Sequence, residues 1–165
     1  RQIATALEAN PEKVLKNILV ARAFNSDHQI LLLDKITEMI KNGESIKLLI
    51  IDSLTAHFRA EFTGRGQLAD RQQRLNRYLH QLMKLAEQHN LAIYVTNQVM
   101  ANPAMMFGDP TTAIGGHIVG HMSTYRLYFR RGKAGSRVAK MIDSPNLPEN
   151  EAVFIVTEAG VKDEG

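Results

Sequence analysis

Asp52 closes the apolar run Leu48-Leu-Ile-Ile51. A carboxylate delivered by a short buried strand to the carboxyl edge of a sheet stands where α/β proteins bind ligands, and where the magnesium of a nucleotide would sit. A parallel strand that merely ends in Asp before a loop has the same spelling. Gln98 follows a second such run, Ala92-Ile-Tyr-Val-Thr96. An amide at that tip can touch a terminal phosphate and the loop behind it at once, and its plainer use is a hydrogen bond to loop backbone. Between the two runs, Gly64-Arg-Gly66 is flanked by Arg59 and Arg71. Gly64 and Gly66 free the backbone to take positive φ, so that Arg65 can stand clear and reach a phosphate or wedge between bases. Guanidiniums, with their fork of donors, suit a polyanion better than lysines would. The alternative is a plain turn feeding the next helix.

Three further groups extend this chemistry. Met105-Met-Phe107 places large apolar side chains in a long segment without a periodic pattern; they either stack against stretched bases or pin the loop to the domain. Gly115 and Gly116 can act as the hinge through which a signal at Gln98 orders that loop. Asp143-Ser-Pro-Asn-Leu-Pro148 is braced by Pro145 and Pro148, which makes it a stiff loop that can cover a ligand at little entropic cost.

The elements that must position these residues follow from periodicity. Ile3, Ala6 and Leu7 share a face of a first helix that Asn10-Pro11 ends or interrupts. Ile18–Ala21, with Ala23-Phe24 after it, is a strand candidate. Ser26 or Asp27 can cap a helix carrying Ile30, Leu33, Ile36 and Ile40 on one face, and Gly43 stops it. After the strand 48–51, Leu68, Leu75, Leu79, Leu82 and Ala86 mark the inner stripe of a long helix, and Ala92–Thr96 is the next buried strand. Strand, helix, strand, helix, strand predicts a parallel sheet with right-handed crossovers. Residues 98–116 read as a loop, a helical turn lies near Ile118–Met122, and Ser123–Arg130 pairs with Val138–Ile142 across the turn at 131–135. Ala152–Val156 is the last strand.

A chain of 165 residues with 44% hydrophobic residues predicts one domain, 1–165, with a sizeable core. The lack of cysteine excludes a disulfide framework and thiolate metal sites, and the net charge of +3 is too mild to imply nucleic acid by itself. No run reaches the length of a membrane span and no leader pattern opens the chain, so a soluble, intracellular protein is expected. Arg1 opens inside a helical pattern, as a piece of a longer protein would.

Taken in order, Ile50-Ile-Asp-Ser53, His57-Phe-Arg59, Gly64-Arg-Gly66, Arg71-Gln-Gln73, Thr96-Asn-Gln-Val99, Gly108-Asp-Pro110, Ile114-Gly-Gly-His117 and Asp143–Pro148 resemble the RadA recombinases of archaea, relatives of bacterial RecA and the eukaryotic strand-exchange proteins. The likeness runs from about Leu15 to about Val161. It implies an α/β fold: a RecA-like core with a mainly parallel central sheet, helices on both faces and a carboxyl-terminal antiparallel β extension. It implies ATP and Mg2+ as cofactors, single- and double-stranded DNA as partners, head-to-tail self-association into a filament, and a cytoplasmic, nucleoid-associated protein. By the same resemblance Asp52 holds magnesium through a water and Gln98 senses the triphosphate. The loops carrying Arg59, Gly64, Arg65, Gly66 and Arg71, and Met105, Met106, Phe107, Gly115 and Gly116, bind DNA. Asp143, Ser144, Pro145, Leu147 and Pro148 cap the neighbouring protomer's nucleotide, which His121 also approaches. Leu19, Ala21, Leu32, Ile36 and Met39 match a pocket for a Phe-x-x-Ala segment of the next protomer or of a mediator protein; by sequence alone they are core residues of a strand and a helix.

The phosphate-binding loop of the family, Gly-x-x-x-x-Gly-Lys-Ser/Thr, and the glutamate that follows it are absent from these residues. The expectation is that an intact parent hydrolyses ATP and this chain alone does not. Two other readings stand beside a recombinase: a non-catalytic module, excised or engineered, that binds the peptide or DNA, and another RecA-fold motor or regulatory paralogue.

Overall fold

The computed structural model describes residues 1–101 and 111–164, and Met105, Met106 and Phe107 lie outside them. The chain divides into two compact units, 21–122 and a second made of 1–20 with 123–165.

Two short helices open the second unit, α1 (Gln2–Ala6) and α2 (Pro11–Lys16). Asn10 accepts hydrogen bonds from the backbone N–H groups of Glu12 and Lys13, and Pro11 takes the first helical position, so the pair that interrupts one helix starts the next. The expected strand over 18–21 does not form: residues 18–24 join no ladder among the described residues. An extended segment becomes a strand only when a neighbour takes its N–H and C=O groups. Here Val20 is 88% exposed instead of sheet-paired and buried.

The unit 21–122 begins with α3 (Ser26–Lys41), capped by Asn25 and not by the residues after it: the Asn25 side chain accepts from the His28 N–H at 2.7 Å. Ser26 is buried and spoken for, donating its N–H to Glu61 Oε1 at 2.6 Å and its hydroxyl to the other oxygen of that carboxylate. Then come β1 (Leu48–Ile51), α4 (Ala56–Glu61), a 3-10 turn at Arg65–Gln67, α5 (Leu68–His89) and β2 (Ala92–Val95). β1 and β2 are parallel, with Leu48 opposite Ala92 and Ile51 opposite Val95. The fold is α/β, as the sequence predicts. The wholly buried strand is a correction: Leu48, Ile50 and Tyr94 are about half exposed, while Leu49, Ile51, Ile93 and Val95 pack on the helical core. Among the described residues that core covers one side of the strand pair, so a strand spelled for two buried faces has one.

Leu54, Phe58, Leu75, Tyr78, Leu79, Leu82 and Leu85 form the centre of this core. The predicted stripe of α5 is buried from Leu75 onward, whereas Leu68, its first residue, is exposed. The Phe58 and Tyr78 rings lie 5.8 Å apart. Burial pushes the Tyr78 phenol pKa up, opposed by a hydrogen bond with Gln29. Gln29 also donates to the Leu54 carbonyl at 3.2 Å, so the buried amide is satisfied by the segment that follows β1. The stretch expected to be pure loop is partly a ladder, β3 (Val99–Ala101) antiparallel to β4 (Thr111–Ala113), and α6 (Gly116–Met122) follows it. Val99, Thr111 and Thr112 are β-branched, which suits a short ladder.

The remaining chain is a four-stranded antiparallel sheet in the order β5 (Arg126–Arg131), β6 (Arg137–Asp143), β7 (Glu151–Thr157) and β8 (Gly160–Asp163). The last strand has no clear apolar alternation; it exists because Gly160, at φ +103°, lets the chain turn straight back onto β7. Phe129 and Phe154 meet edge to face at 6.0 Å across the sheet. No described helix is long and apolar enough to cross a membrane.

Phe58 is 1% exposed at the middle of the core. Phe58→Ala should lower the unfolding free energy by about 3–5 kcal/mol, read as a lower midpoint in a urea titration.

Candidate functional site

The parallel register places the ends of β1 and β2 side by side. The Thr96 N–H donates to the Ile51 carbonyl at 3.0 Å, and the Leu54 N–H returns to the Thr96 carbonyl at 2.9 Å, so pairing continues past both strands. The Thr96 hydroxyl donates to Asp52 Oδ1 at 2.6 Å. That bond fixes the carboxylate while leaving Asp52 exposed at the edge. The Asp52–Ser53 peptide is cis. Beside it the buried Ser53 hydroxyl has no hydrogen-bond partner among the described residues.

Asn97 is the hub of this edge. Its Oδ1 accepts from the Thr55 hydroxyl at 2.7 Å and from the Gln98 N–H at 3.0 Å. Its Nδ2 donates to the Ile114 carbonyl at 2.5 Å, and the Ile114 N–H donates to the Gln98 carbonyl at 2.9 Å. One amide thus ties the turn after β1, the tip of β2 and the entry to α6. Asp52 and Gln98 emerge at the same end of neighbouring strands, as the spacing predicts.

The Gly115-Gly116 pair takes φ +96° and +62°, values that L side chains rarely adopt. A Cβ on Gly115 would also stand 2.5 Å from Val119 Cγ2, so the turn into α6 requires glycine on two counts. Gln72 of α5 reaches this turn, its Nε2 lying 3.4 Å from the Gly115 carbonyl, and its Oε1 is buried without a partner among the described residues.

The arginine-bearing segment is braced at both ends. Glu61, the last residue of α4, is held by Ser26 at the start of α3. Arg74 of α5 pairs with Asp27 and lies over the Phe62 ring, 5.8 Å from its centroid. Between these anchors Gly64 and Gly66 are exposed, Arg65 opens the 3-10 turn, Arg59 is exposed on α4, and Arg71 is half-buried in the first turn of α5. Residues 59–71 are therefore a short segment with both ends fixed.

In the other unit, Asp143 at the end of β6 pairs with Arg126 of β5 at 2.8 Å. The Ser144 hydroxyl accepts from the N–H groups of Asn146 at 3.3 Å and Leu147 at 2.9 Å, and the Tyr125 hydroxyl donates to Asn146 at 3.1 Å. The loop 143–148 is thus held by a hydroxyl turn as well as by Pro145 and Pro148, and Leu147 stands half exposed on it.

The remaining predicted positions lie on other elements. His121 is exposed on α6 with its ring stacked on His117. Leu32, Ile36 and Met39 line one side of α3 and are half-buried, while Leu19 and Ala21 are exposed in the extended segment before it. Ile36 packs on the helical core, whereas Leu19 and Ala21 are not core residues of a strand, because segment 18–24 joins no ladder among the described residues. No cluster of three metal-ligating side chains occurs among the described residues. From sequence, Thr55, Gln72 and Asn97 have no role of their own, although Gln72 and Asn97 lie within the family-like runs 71–73 and 96–99; for Thr55 and Asn97 the signal available was hydroxyl and amide residues just beyond two strand ends.

The Rad51 family profile matches residues 1–164. The chain is 57% identical over 156 residues to the DNA repair and recombination protein RadA of Methanocorpusculum labreanum, a match covering 92% of this chain and 47% of that protein. It spans about half the length of this curated relative.

Asn97→Ala would strand the Thr55 hydroxyl and the Ile114 carbonyl at once. The expected cost is ~1–3 kcal/mol in thermal unfolding, with faster amide exchange at Gln98, whose N–H loses its acceptor; Asn97→Asp keeps the acceptor and should protect that amide better than alanine does.

Proposed function

The chain belongs to the Rad51 family, and from that premise we propose that it is the carboxyl-terminal part of the core of an ATP-dependent DNA recombinase, which forms filaments on single-stranded DNA and catalyses homologous pairing and strand exchange in recombinational repair. The observation that carries this reading is the shared edge: Asp52 and Gln98 leave adjacent parallel strands at the same end, and Asn97 links that edge to Thr55 ahead of the arginine segment and to Ile114 beyond the second loop.

In this reading Asp52 is the outer partner of a hydrated magnesium. One of its oxygens is engaged by Thr96, the residue is exposed, and the Ser53 hydroxyl oxygen beside it has no partner among the described residues and could accept from a metal-bound water; both would fit a water-ligated cation. Bound ATP and Mg2+ supply the phosphoryl chemistry, and these residues orient water and read its state. The phosphate-binding loop is not among them, so ATP hydrolysis belongs to the intact protein.

Gln98 couples the nucleotide to DNA. Its backbone is bonded on one side to Asn97 and on the other to Ile114, so a displacement at its amide reaches the Gly115-Gly116 turn through bonds already made. Arg59, Arg65 and Arg71, with Gly64 and Gly66, form the first DNA loop; Met105, Met106 and Phe107 belong to the second. Loop 143–148 and His121 serve the nucleotide of an adjacent protomer, which makes contacts head to tail and the assembly an open filament. A protein with these partners works in the cytoplasm on the nucleoid. Leu19, Ala21, Leu32, Ile36 and Met39 receive a Phe-x-x-Ala segment. The lack of the phosphate loop favours one second reading for this chain alone, a binding module without catalysis.

In the intact protein, Gln98→Ala should leave DNA binding steeply salt-dependent while removing its enhancement by ATP; enhancement that persists in the variant sinks the coupling role. A Phe-x-x-Ala peptide titrated into this chain should bind saturably below millimolar concentration and lose that binding in Ile36→Asp. Absence of saturable binding removes the pocket.

A further inference from the structure

α6 carries two histidines one turn apart. Ile118, Val119 and Met122 of this helix pack on the core, and His117 and His121, at i and i+4, therefore stand together on its solvent side. Their rings are 6.1 Å apart between centroids and 26° from parallel. Both are exposed, so neither imidazole is consumed by packing. We propose that His117 and His121 form a bidentate site for a borderline divalent transition metal such as Ni2+, Cu2+ or Zn2+, bridging one turn of α6.

Three arguments converge. Two histidines at this spacing on one helix face can hold one metal ion with an imidazole nitrogen from each, at about 2.0–2.1 Å for zinc. The ligand set is all nitrogen and no third imidazole or carboxylate joins it among the described residues, so the remaining positions go to water and the site prefers transition metals to Mg2+ or Ca2+. The helix also has reason to respond. It is seven residues long and begins at a glycine with positive φ, well short of the length at which a helix holds itself together in water. A metal bridge across one turn supplies a constraint that sequence propensity does not.

The site needs no DNA, nucleotide or second protomer, so its test is separable from the functional reading above. Ni2+ titrated calorimetrically into the chain should bind with one-to-one stoichiometry, and Ni2+ should raise the thermal midpoint. His117→Ala and His121→Ala should each weaken that binding by at least ~10-fold, the loss of one of two chelating groups, and each should abolish the thermal shift. His80→Ala, an exposed histidine on α5, should change neither, and Mg2+ in excess should not compete. Circular dichroism of each variant without metal checks that it is folded. If Ni2+ does not bind at millimolar concentration, or if binding survives His117→Ala undiminished, the proposal is overturned.

Discussion

The side-chain amide of Asn97 is the constraint on which the edge depends. A partly buried polar hub is favourable when every partner is present, because a stranded hydroxyl or carbonyl shielded from water costs more than a made bond returns. Here Thr55, Gln98 and Ile114 all meet it. The consequence is that three chain segments far apart in sequence take one arrangement or none. Asp52 is held in the same way by Thr96. The two exposed residues of this edge, Asp52 and Gln98, are thus positioned by partly buried neighbours, Thr96 and Asn97.

The parallel pair could be read from the sequence because its cause is local. Leu48–Ile51 and Ala92–Val95 are short apolar runs bounded by polar residues, and the helix between them carries its leucines at the helical period, so strand, crossover and end of strand all follow. The placement of Asp52 and Gln98 at one end of the pair follows for that reason. The hub does not, because Asn97 has no pattern of its own: its role lies in partners 42 and 17 residues away, and only the fold brings them near. The segment 18–24 misleads for the opposite cause. Its residues have strand propensity, but a strand is a property of a pair, and here no partner is described. β8 escaped because its turn rests on the φ of Gly160 and not on apolar alternation.

Exposure separates residues that composition treats alike. Leu48 and Leu49 are neighbours in one strand, yet Leu48 is on the open side and Leu49 is packed on the helical core. The open side, with Leu48, Ile50 and Tyr94, is apolar enough to be a covered surface in a RecA-like core, and the curated relative is about twice the length of this chain. What the strand sequence encodes is therefore consistent with burial on both faces, while the described residues of the unit 21–122 cover one.

The parallel register has a kinetic meaning as well. β1 and β2 cannot meet as a hairpin does; the whole of α5 must first be laid down between them, and the bond from Thr96 to Asp52 spans 44 residues. Closing so long a loop costs entropy before any contact returns it, so this edge forms only with the crossover in place. A nascent or half-unfolded chain would carry its arginines and glycines before it held the Asp52 carboxylate in this position. Competence at the edge is in effect a report that the domain behind it is complete.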